Sequence, residues 1–423
     1  MRTIALACLV ALTASAAIAQ APSGAPSDAA AECDRLAASA YDAEATAPGI
    51  VTDLIDQARA IAVCEAAVAQ HPEIARLAFQ LGRAYAAAER ESDAVRVHRQ
   101  AAEKGHAAAM GSLGYRLNEG RGVPMDKVEA VKWFRLAAEK GDAAAMDDLA
   151  TAYLDGAGVG ASVAEALRWY RQAAAKGYGP SMHSIGAFHR LGEVVAKDEA
   201  EAERWFQRAL DWYRGEAERG AAFAMAGVGL FYERGQGVPR DDAEAVRWLR
   251  RAAEKGSEAG MIGLGTLYHY GQGVPKDAGE ARRWLLQAAQ KGNARAMSIL
   301  GRVLADGANA PADDIEAARW FRRASEKGDA FGSFDLSLNH SVGIGVREDA
   351  EEAARLMLLA VRQAGSADLV RALRQFGAFF VSADSCRALQ RRLGAAGVYT
   401  DPINDDCGDA VLRAIDSFRA RDP

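Results

Sequence analysis

The chain has 423 residues, of which 50% are hydrophobic and 26% are charged, and its formal net charge is −6. These values are typical of globular proteins and exclude a chain that is disordered throughout. Without a basic excess there is no basis for nucleic-acid binding, which needs clustered lysine and arginine side chains. Aromatic residues are few at 7% and glycine is abundant with 41 residues, which favours closely packed helices over β-sheet.

The first 19 residues have the features of a signal peptide. A basic start at Arg2 precedes an apolar, alanine-rich stretch, and residues 17–19 (Ala-Ile-Ala) give the small-x-small pattern that signal peptidase cleaves. We expect residues 1–19 to be removed, so that Gln20 begins the mature chain. The apolar stretch is too short for a stable membrane anchor, and no later stretch of about 18 apolar residues follows. The sequence therefore predicts a periplasmic or secreted protein without a transmembrane segment.

Four of the 5 cysteines lie outside the signal peptide and form two pairs of sequence neighbours. The first pair is Cys33 and Cys64, near the mature N-terminus, and the second is Cys386 and Cys407, near the C-terminus. An even number of cysteines in an exported protein indicates disulfides, and closing loops of this length stabilises a fold by about 3 kcal/mol each. We predict both disulfides, and four buried free thiols remain the alternative.

A unit of 36 residues repeats through the middle of the chain. The copies that keep this length are 106–141, 142–177, 221–256, 257–292 and 293–328. The copy at 178–220 carries seven extra residues around 211–213, a decayed copy covers 329–365, and a weaker one lies at 73–105. A fixed period of this size is typical of a solenoid.

Each unit is predicted to form two helices joined by a turn. In the first helix Met110, Leu113 and Leu117 make a stripe at helical spacing, which buries one face. A glycine recurs inside this helix, although it costs about 1 kcal/mol relative to alanine. We therefore expect a neighbouring helix backbone to pass too close there for any side chain. The glycines are Gly114, Gly186, Gly229, Gly265 and Gly301.

The turn and the second helix also carry residues that recur from unit to unit. Residues 120–124 (Gly-Arg-Gly-Val-Pro) supply glycines for positive φ and a proline that ends the incoming helix. We expect Asp126, Asp277 and either Asp241 or Asp242 to cap the second helix with their carboxylates. Six of the 7 tryptophans share one position in this helix, which indicates core packing rather than ligand contact. They are Trp133, Trp169, Trp205, Trp248, Trp284 and Trp320.

The repeated pattern A-x-A-M-x-x-L-G-x-x-Y, G-x-G-V-P-x-D, E-A-x-R-W-x-x-x-A-A-E-K-G resembles the SEL-one-like repeat (SLR), a relative of the tetratricopeptide repeat. The resemblance implies an all-α, right-handed α/α superhelical solenoid whose concave surface binds other proteins. It also implies no catalytic residue, because the motif residues of this family are structural. Bacterial members are often exported and associated with the cell envelope. We expect the solenoid to span 106–365, after an N-terminal helical cap with a degenerate tetratricopeptide-like repeat at 20–105.

By analogy with tetratricopeptide repeats, the first helices are expected to line the concave surface. Polar and aromatic residues that lie off the buried stripe of these helices are therefore candidates for partner contact, because partner specificity in a solenoid resides in such a row. The candidates are Asp147, His183, Arg190, Glu233, Arg234, His269, Tyr270 and Arg302.

The C-terminal segment at 366–423 does not continue the repeat. Between Cys386 and Phe418 it resembles part of a peptidoglycan-binding-like helical domain, with the pattern L-Q-x-x-L followed by G-x-Y and a late A-I-x-x-F. Asp401, Asn404 and Asp405 depart from that pattern where it has glycine, aspartate and glycine. A disulfide-stapled cap on the solenoid is the alternative. A closing helix is predicted between 365 and 385.

No motif of a known catalytic or metal site occurs, since the chain lacks H-E-x-x-H, G-x-S-x-G, a P-loop and C-x-x-C spacing. We therefore predict no enzyme, no cofactor and no metal. The leading hypothesis is a monomeric scaffold that binds other envelope proteins or peptides. The second is a peptidoglycan-associated module that docks on the cell wall through the C-terminal element. The third is an envelope hydrolase with an unrecognised site, which would need a polar pocket with strongly shifted pKa values.

Overall fold

The computed structural model describes residues 29–47, 49–192, 194–307, 311–363 and 382–421. Within these ranges the chain forms 20 α-helices and one 3₁₀ turn at Thr52–Leu54, and no β-strand. The helices are α1 Ala29–Ala37, α2 Gln57–Gln70, α3 Ala75–Ala87, α4 Glu91–Glu103, α5 Ala107–Glu119, α6 Lys127–Glu139, α7 Ala143–Asp155, α8 Val163–Ala175, α9 Gly179–Leu191, α10 Glu199–Glu218, α11 Ala222–Arg234, α12 Asp242–Glu254, α13 Glu258–Tyr270, α14 Ala278–Gln290, α15 Ala294–Asp306, α16 Pro311–Glu326, α17 Ala330–Val342, α18 Ala350–Gln363, α19 Ala383–Ala395 and α20 Asp409–Arg421.

Side-chain caps start most helices of the repeats. The Asp126 carboxylate accepts a hydrogen bond from the Glu129 backbone N–H at 2.8 Å, which satisfies one of the free donors of the first turn of α6. The corresponding cap of α12 is Asp241, whereas Asp242 forms an ion pair with Arg240. The second helix therefore begins after a capping aspartate in most units, whereas Ser162 caps α8.

Consecutive helices pack in pairs, and the pairs stack into one solenoid from α3 to α18. In four pairs of successive first helices (α5–α7, α11–α13, α13–α15 and α15–α17) the backbones approach one another more closely than those of successive second helices do. The solenoid therefore curves with its first helices on the inner side, as the family resemblance implied. We call this face the inner surface.

The predicted apolar stripe is buried throughout. Leu113 is fully inaccessible to solvent, and Met110 and Leu117 are buried beside it. The six repeat tryptophans are buried or half-buried between second helices and their neighbours, which confirms the core-packing interpretation. One continuous apolar core thus connects the repeats.

The repeat glycines are needed for close packing, but the obstacle differs from the predicted one. A Cβ at Gly265 would lie 2.7 Å from Leu285 Cγ and 3.3 Å from the Ala281 carbonyl oxygen. At Gly301 the nearest atoms likewise belong to the ring of Phe321, on the second helix of the same repeat. The prediction of a backbone obstacle was therefore wrong at these two positions. The atoms nearest to the added Cβ belong to a large side chain of the paired helix.

The seven extra residues of the third repeat lengthen α10. This helix has 20 residues, whereas the helices around it have 13. The added turns carry Trp212 and Tyr213, whose rings lie 5.6 Å from Tyr178 and 5.5 Å from Phe231, respectively. Phe223 contacts Trp212 at 6.2 Å. We call these five residues the aromatic cluster.

Both predicted disulfides are present. Cys33–Cys64 joins α1 to α2, and Cys386–Cys407 joins α19 to the segment before α20. α19 and α20 pack their apolar residues against α18, so this element covers the last repeat. The signal peptide lies outside the described residues, as does nearly all of the predicted closing helix. Among the helices that are described, none is long and apolar enough to cross a membrane.

Candidate protein-binding surface

The inner surface carries large side chains that remain accessible to solvent. Tyr115 on α5 is 41% exposed, Phe223 on α11 is 48% exposed and Tyr270 at the end of α13 is 63% exposed. Exposed aromatic side chains on a rigid helical face are typical of protein interfaces, since they bury much area at little entropic cost.

Three of the predicted candidates lie in the second and third repeats. The carboxylate of Asp147 on α7 accepts a hydrogen bond from Ser181 Oγ on α9 at 2.5 Å. Burial raises the pKa of Asp147 to about 6, although the Ser181 hydrogen bond lowers it. The His183 ring lies 5.4 Å from Phe206, and Arg190 stacks over the same ring at 4.4 Å.

The other five candidates lie in the later repeats. His269 is only 4% exposed, and its Nε2 lies 3.1 Å from a carboxylate oxygen of Asp306 on α15. Arg302 on α15 forms a bidentate ion pair with the half-buried Asp335 on α17, with a shortest distance of 2.6 Å. Glu233 is half-buried, and burial raises its pKa. Arg234 and Tyr270 are exposed.

Several of these side chains bind the neighbouring repeat. Asp147 joins α7 to α9, His269 joins α13 to α15, and Arg302 joins α15 to α17. In the same way the His183 Nε2 lies 3.2 Å from Gln236 Oε1 in the turn after α11. These four residues fix the spacing of the first helices, whereas Arg234 and Tyr270 are exposed to solvent. The structure therefore divides the predicted row into a supporting set and an accessible set.

A segment that no sequence pattern predicted lies on the inner surface itself. We call it the strap; it joins α1 to α2 and is described at residues 38–47 and 49–56. The Asp53 carboxylate accepts a hydrogen bond from the Ala222 backbone N–H at 3.3 Å, across 169 residues of sequence. One sequence signal pointed to this contact, because α11 begins at Ala221 and Ala222 without a capping side chain of its own.

Arg83 on α3 fastens the two ends of the strap. Its guanidinium donates hydrogen bonds of 2.6 Å to the carbonyl oxygens of Ala37 and Ile50, and one of 3.1 Å to Thr52 Oγ1. The side chain is buried, which lowers its pKa to about 10, so it stays cationic at neutral pH. A charged group buried at this cost requires its hydrogen-bond partners, and these partners come from the strap and the end of α1.

A cavity of about 290 Å³ lies between the strap and the inner surface. Its lining combines strap residues with side chains of α3, α4, α5 and α7. Those that bring polar groups to it include Tyr41, His98, Tyr115, Asp142 and Asp148. No group of three or more His, Cys, Asp or Glu in the described ranges could hold a metal ion.

The repeats match a known family profile. The Sel1 repeat profile matches seven consecutive segments, at 107–142, 143–178, 179–211, 222–257, 259–293, 294–329 and 330–364. The match ends before the C-terminal element, and the resemblance of that element to a peptidoglycan-binding domain is not supported. No curated protein matches the chain.

Three solved structures are among those similar to this chain. A protective antigen of uropathogenic Escherichia coli with an SLR fold is 29% identical, covers 80% of this chain and 72% of its own, and has a TM-score of 0.34. A Sel1 repeat protein of Oxalobacter formigenes is 33% identical, with coverage of 58% and 98% and a TM-score of 0.40. An immunity protein of Pseudomonas aeruginosa is 17% identical, with coverage of 51% and 81% and a TM-score of 0.34.

The seven matched segments account for more than half of the chain, and each contains the paired helices described above. Sel1 repeat proteins are in general non-catalytic scaffolds for protein interaction. This chain belongs to the Sel1 repeat family.

Proposed function

We propose that this protein is an exported, monomeric, non-enzymatic scaffold that binds another protein of the bacterial cell envelope through its inner surface. The proposal rests on one observation: some side chains of the inner surface connect neighbouring helices, and others are accessible to solvent. Asp147, His269 and Arg302 hold adjacent first helices in place, while Arg234 and Tyr270 stay accessible. A surface organised before binding loses little conformational entropy when a partner docks.

Two features support export. The first 19 residues have the basic start, apolar stretch and small-residue cleavage pattern of a signal peptide. Two disulfides fasten the two ends of the described chain, and disulfides persist in oxidising compartments such as the periplasm. We therefore assign the protein to the periplasm or the exterior.

We assign the C-terminal element the role of a cap. The Gln390 side chain, part of the peptidoglycan-binding-like pattern, is fully buried. It accepts a hydrogen bond from the Asn404 backbone N–H at 2.8 Å and donates one to the Asp406 carbonyl oxygen at 2.7 Å. This side chain is thus occupied in holding the loop before α20 and offers no free group to a glycan. Docking on peptidoglycan becomes an outcome of the test below.

The test is site-specific photo-crosslinking in intact cells. A photo-reactive phenylalanine analogue replaces Tyr270 on the inner surface, and a matched control carries it at Leu136, an exposed position on the second helix α6. We expect a discrete protein adduct from position 270 and none from position 136. Equal labelling at both positions, or no protein adduct at 270, would contradict the proposal. Recovery of wall fragments by the intact chain, but not by a chain ending at Gln363, would favour the peptidoglycan hypothesis instead.

A further inference from the structure

The strap lies on the inner surface as a bound peptide would. It has almost no regular secondary structure, only the short turn at Thr52–Leu54, yet it reaches helices of the third and fourth repeats. Residues 38–56 include one aromatic side chain, Tyr41, together with the carboxylates of Asp42, Glu44, Asp53 and Asp56, and no lysine or arginine. The strap therefore has its own recognition chemistry: one aromatic ring and several acidic groups in an extended segment.

The aromatic part of the strap meets the aromatic cluster. The Tyr41 ring lies 6.1 Å from Trp212, in the added turns of α10. Burial and a hydrogen bond to the Glu216 carboxylate both raise the pKa of Tyr41. Leu54 lies over Gly220, whose Cβ would come within 3.1 Å of its methyl group. Residues of the enlarged third repeat thus contact the strap at Tyr41 and at Leu54.

Two acidic groups of the strap, Asp53 and Asp42, lie against polar groups of the solenoid. Asp53 binds the free N–H of Ala222, where the dipole of α11 also favours a negative charge. His106 caps α5 by accepting the Ala109 N–H at its Nδ1, so the proton of the neutral ring lies on Nε2. That Nε2 lies 3.3 Å from a carboxylate oxygen of Asp42, close enough for electrostatic attraction but without hydrogen-bond geometry. Each contact is one that a carboxylate from another chain could make equally well.

Several observations indicate that the strap is held weakly. Tyr41 is 46% exposed and Leu54 is 50% exposed. Cavities of about 290 Å³ and 140 Å³ adjoin it at Ser39, Tyr41 and Thr52, so this part of its inner side lacks packing contacts, whereas Asp42 and Ile55 are buried. Asp42 also faces Asp142, whose pKa is raised by burial and by the charge of Asp42. Segments with few buried contacts and like-charge neighbours open locally at low cost.

The ends of the strap stay anchored when its middle lifts. The Cys33–Cys64 disulfide encloses the strap within a loop of 31 residues, and Arg83 binds the carbonyl oxygens of Ala37, directly before the strap, and of Ile50 within it. Opening therefore requires no unfolding of α1, α2 or the solenoid.

We propose that the strap is a displaceable occupant of the partner site, and that this site binds an extended partner segment with an aromatic residue and nearby carboxylates. This inference rests on the proposed function, because it names the kind of partner that the inner surface accepts. The partner segment replaces Tyr41 on Trp212 and replaces Asp53 at the N-terminus of α11.

The test uses a fluorescent synthetic peptide of residues 38–56 as the probe. Its binding to the mature wild-type protein is compared with binding to a loosened variant, Tyr41→Ala with Asp53→Ala, by fluorescence anisotropy. A site that is occupied nine-tenths of the time weakens apparent affinity about tenfold, so we expect the loosened variant to bind the peptide at least about tenfold more tightly. Adding Trp212→Ala should abolish that binding, whereas adding Leu136→Ala, at an exposed position of the second helix α6 outside the inner surface, should leave it unchanged.

A folded loosened variant that does not bind the peptide would overturn the inference, and circular dichroism establishes that it is folded. If the variant does not fold, hydrogen exchange of the wild-type protein decides. Strap amides that exchange much faster than those of α13 support a displaceable strap, and equal protection overturns it.

Crosslinking from position 270 distinguishes the strap inference from the proposed function. Peptide binding without any protein adduct would contradict the proposed function alone, and a protein adduct without peptide binding would contradict the strap inference alone.

Discussion

At the scale of single residues, the inner glycine of each repeat shows how little space separates paired helices. We predict that Gly265→Ala destabilises the protein, because the new Cβ would lie 2.7 Å from Leu285 Cγ. Overpacking of this kind costs about 1–3 kcal/mol, which exceeds the gain of up to about 1 kcal/mol in helix propensity. The measurement is the urea midpoint of unfolding followed by circular dichroism.

Gly215→Ala provides the matched control. This glycine is also helical, in α10, but a Cβ at this position would meet no neighbouring atom within 4 Å. The substitution should therefore raise the free energy of unfolding by about 0.5–1 kcal/mol. If both variants shift the midpoint in the same direction, steric contact does not explain why glycine recurs.

The raised pKa of Asp147 predicts that the free energy of unfolding depends on pH. Its pKa is about 6 in the folded protein and 3.8 without burial, so between these values the folded state binds more protons than the unfolded state. The free energy of unfolding contributed by this group therefore falls as pH rises from about 4 to 6, and the loss persists at higher pH. Asp147→Asn keeps an oxygen for the Ser181 hydroxyl and removes the charge. We expect it to stabilise the protein by about 1–3 kcal/mol at pH 7.5 and to have little effect at pH 4.

The comparison of the two proteins at each pH measures the effect of the Asp147 charge, including its contribution to the raised pKa of the neighbouring Asp148. Urea denaturation at pH 4 and pH 7.5 measures both free energies. A constant difference between the variant and the wild type across this range would contradict a raised pKa at Asp147.

At the scale of secondary-structure elements, the N-terminal helices and the strap depend on one disulfide. We predict that Cys33→Ser with Cys64→Ser destabilises this region by about 2–4 kcal/mol, as expected for a loop of 31 residues. A solenoid transmits stability chiefly between neighbouring repeats, so α13 to α18 should remain unchanged. Hydrogen exchange measured along the chain tests this local effect.

Cys386→Ser with Cys407→Ser is the matched control. It should increase exchange in α19 and α20 and leave the strap protected as in the wild type. Uniform loss of protection throughout the chain in either variant would show that the ends are coupled more strongly than a repeat array allows.

The elements of the solenoid were predictable because local sequence specifies them. Apolar spacing, capping residues and turn glycines recur in most units, so the helices follow from each unit separately. The place of the seven extra residues was also predicted, and they lengthen α10. The direction of its added turns was not predicted, since Trp212 and Tyr213 take their positions from partners in α9 and α11.

At the scale of the whole molecule, the C-terminal element protects the last repeat. Met357 and Val361 of α18 are buried against α19, where Leu389 and Leu393 lie. We predict that a chain ending at Gln363 exposes this apolar face and aggregates or loses the last repeat, while the earlier repeats keep their helices. Light scattering and hydrogen exchange of α17 and α18 test the prediction. An unchanged monomer with full protection of α18 would contradict the capping role.

The sequence by itself determined the family, the repeat boundaries, the two disulfides and the identity of the buried stripe, because each depends on residues close together in the chain. It also placed the candidate binding residues on the first helices. Only the tertiary structure decided which of them are accessible, since the partners of Asp147 and Arg302 lie on neighbouring repeats. The strap depended on tertiary structure entirely. Its contact between Asp53 and Ala222 spans 169 residues, and only the curvature of the stacked repeats brings those two points together.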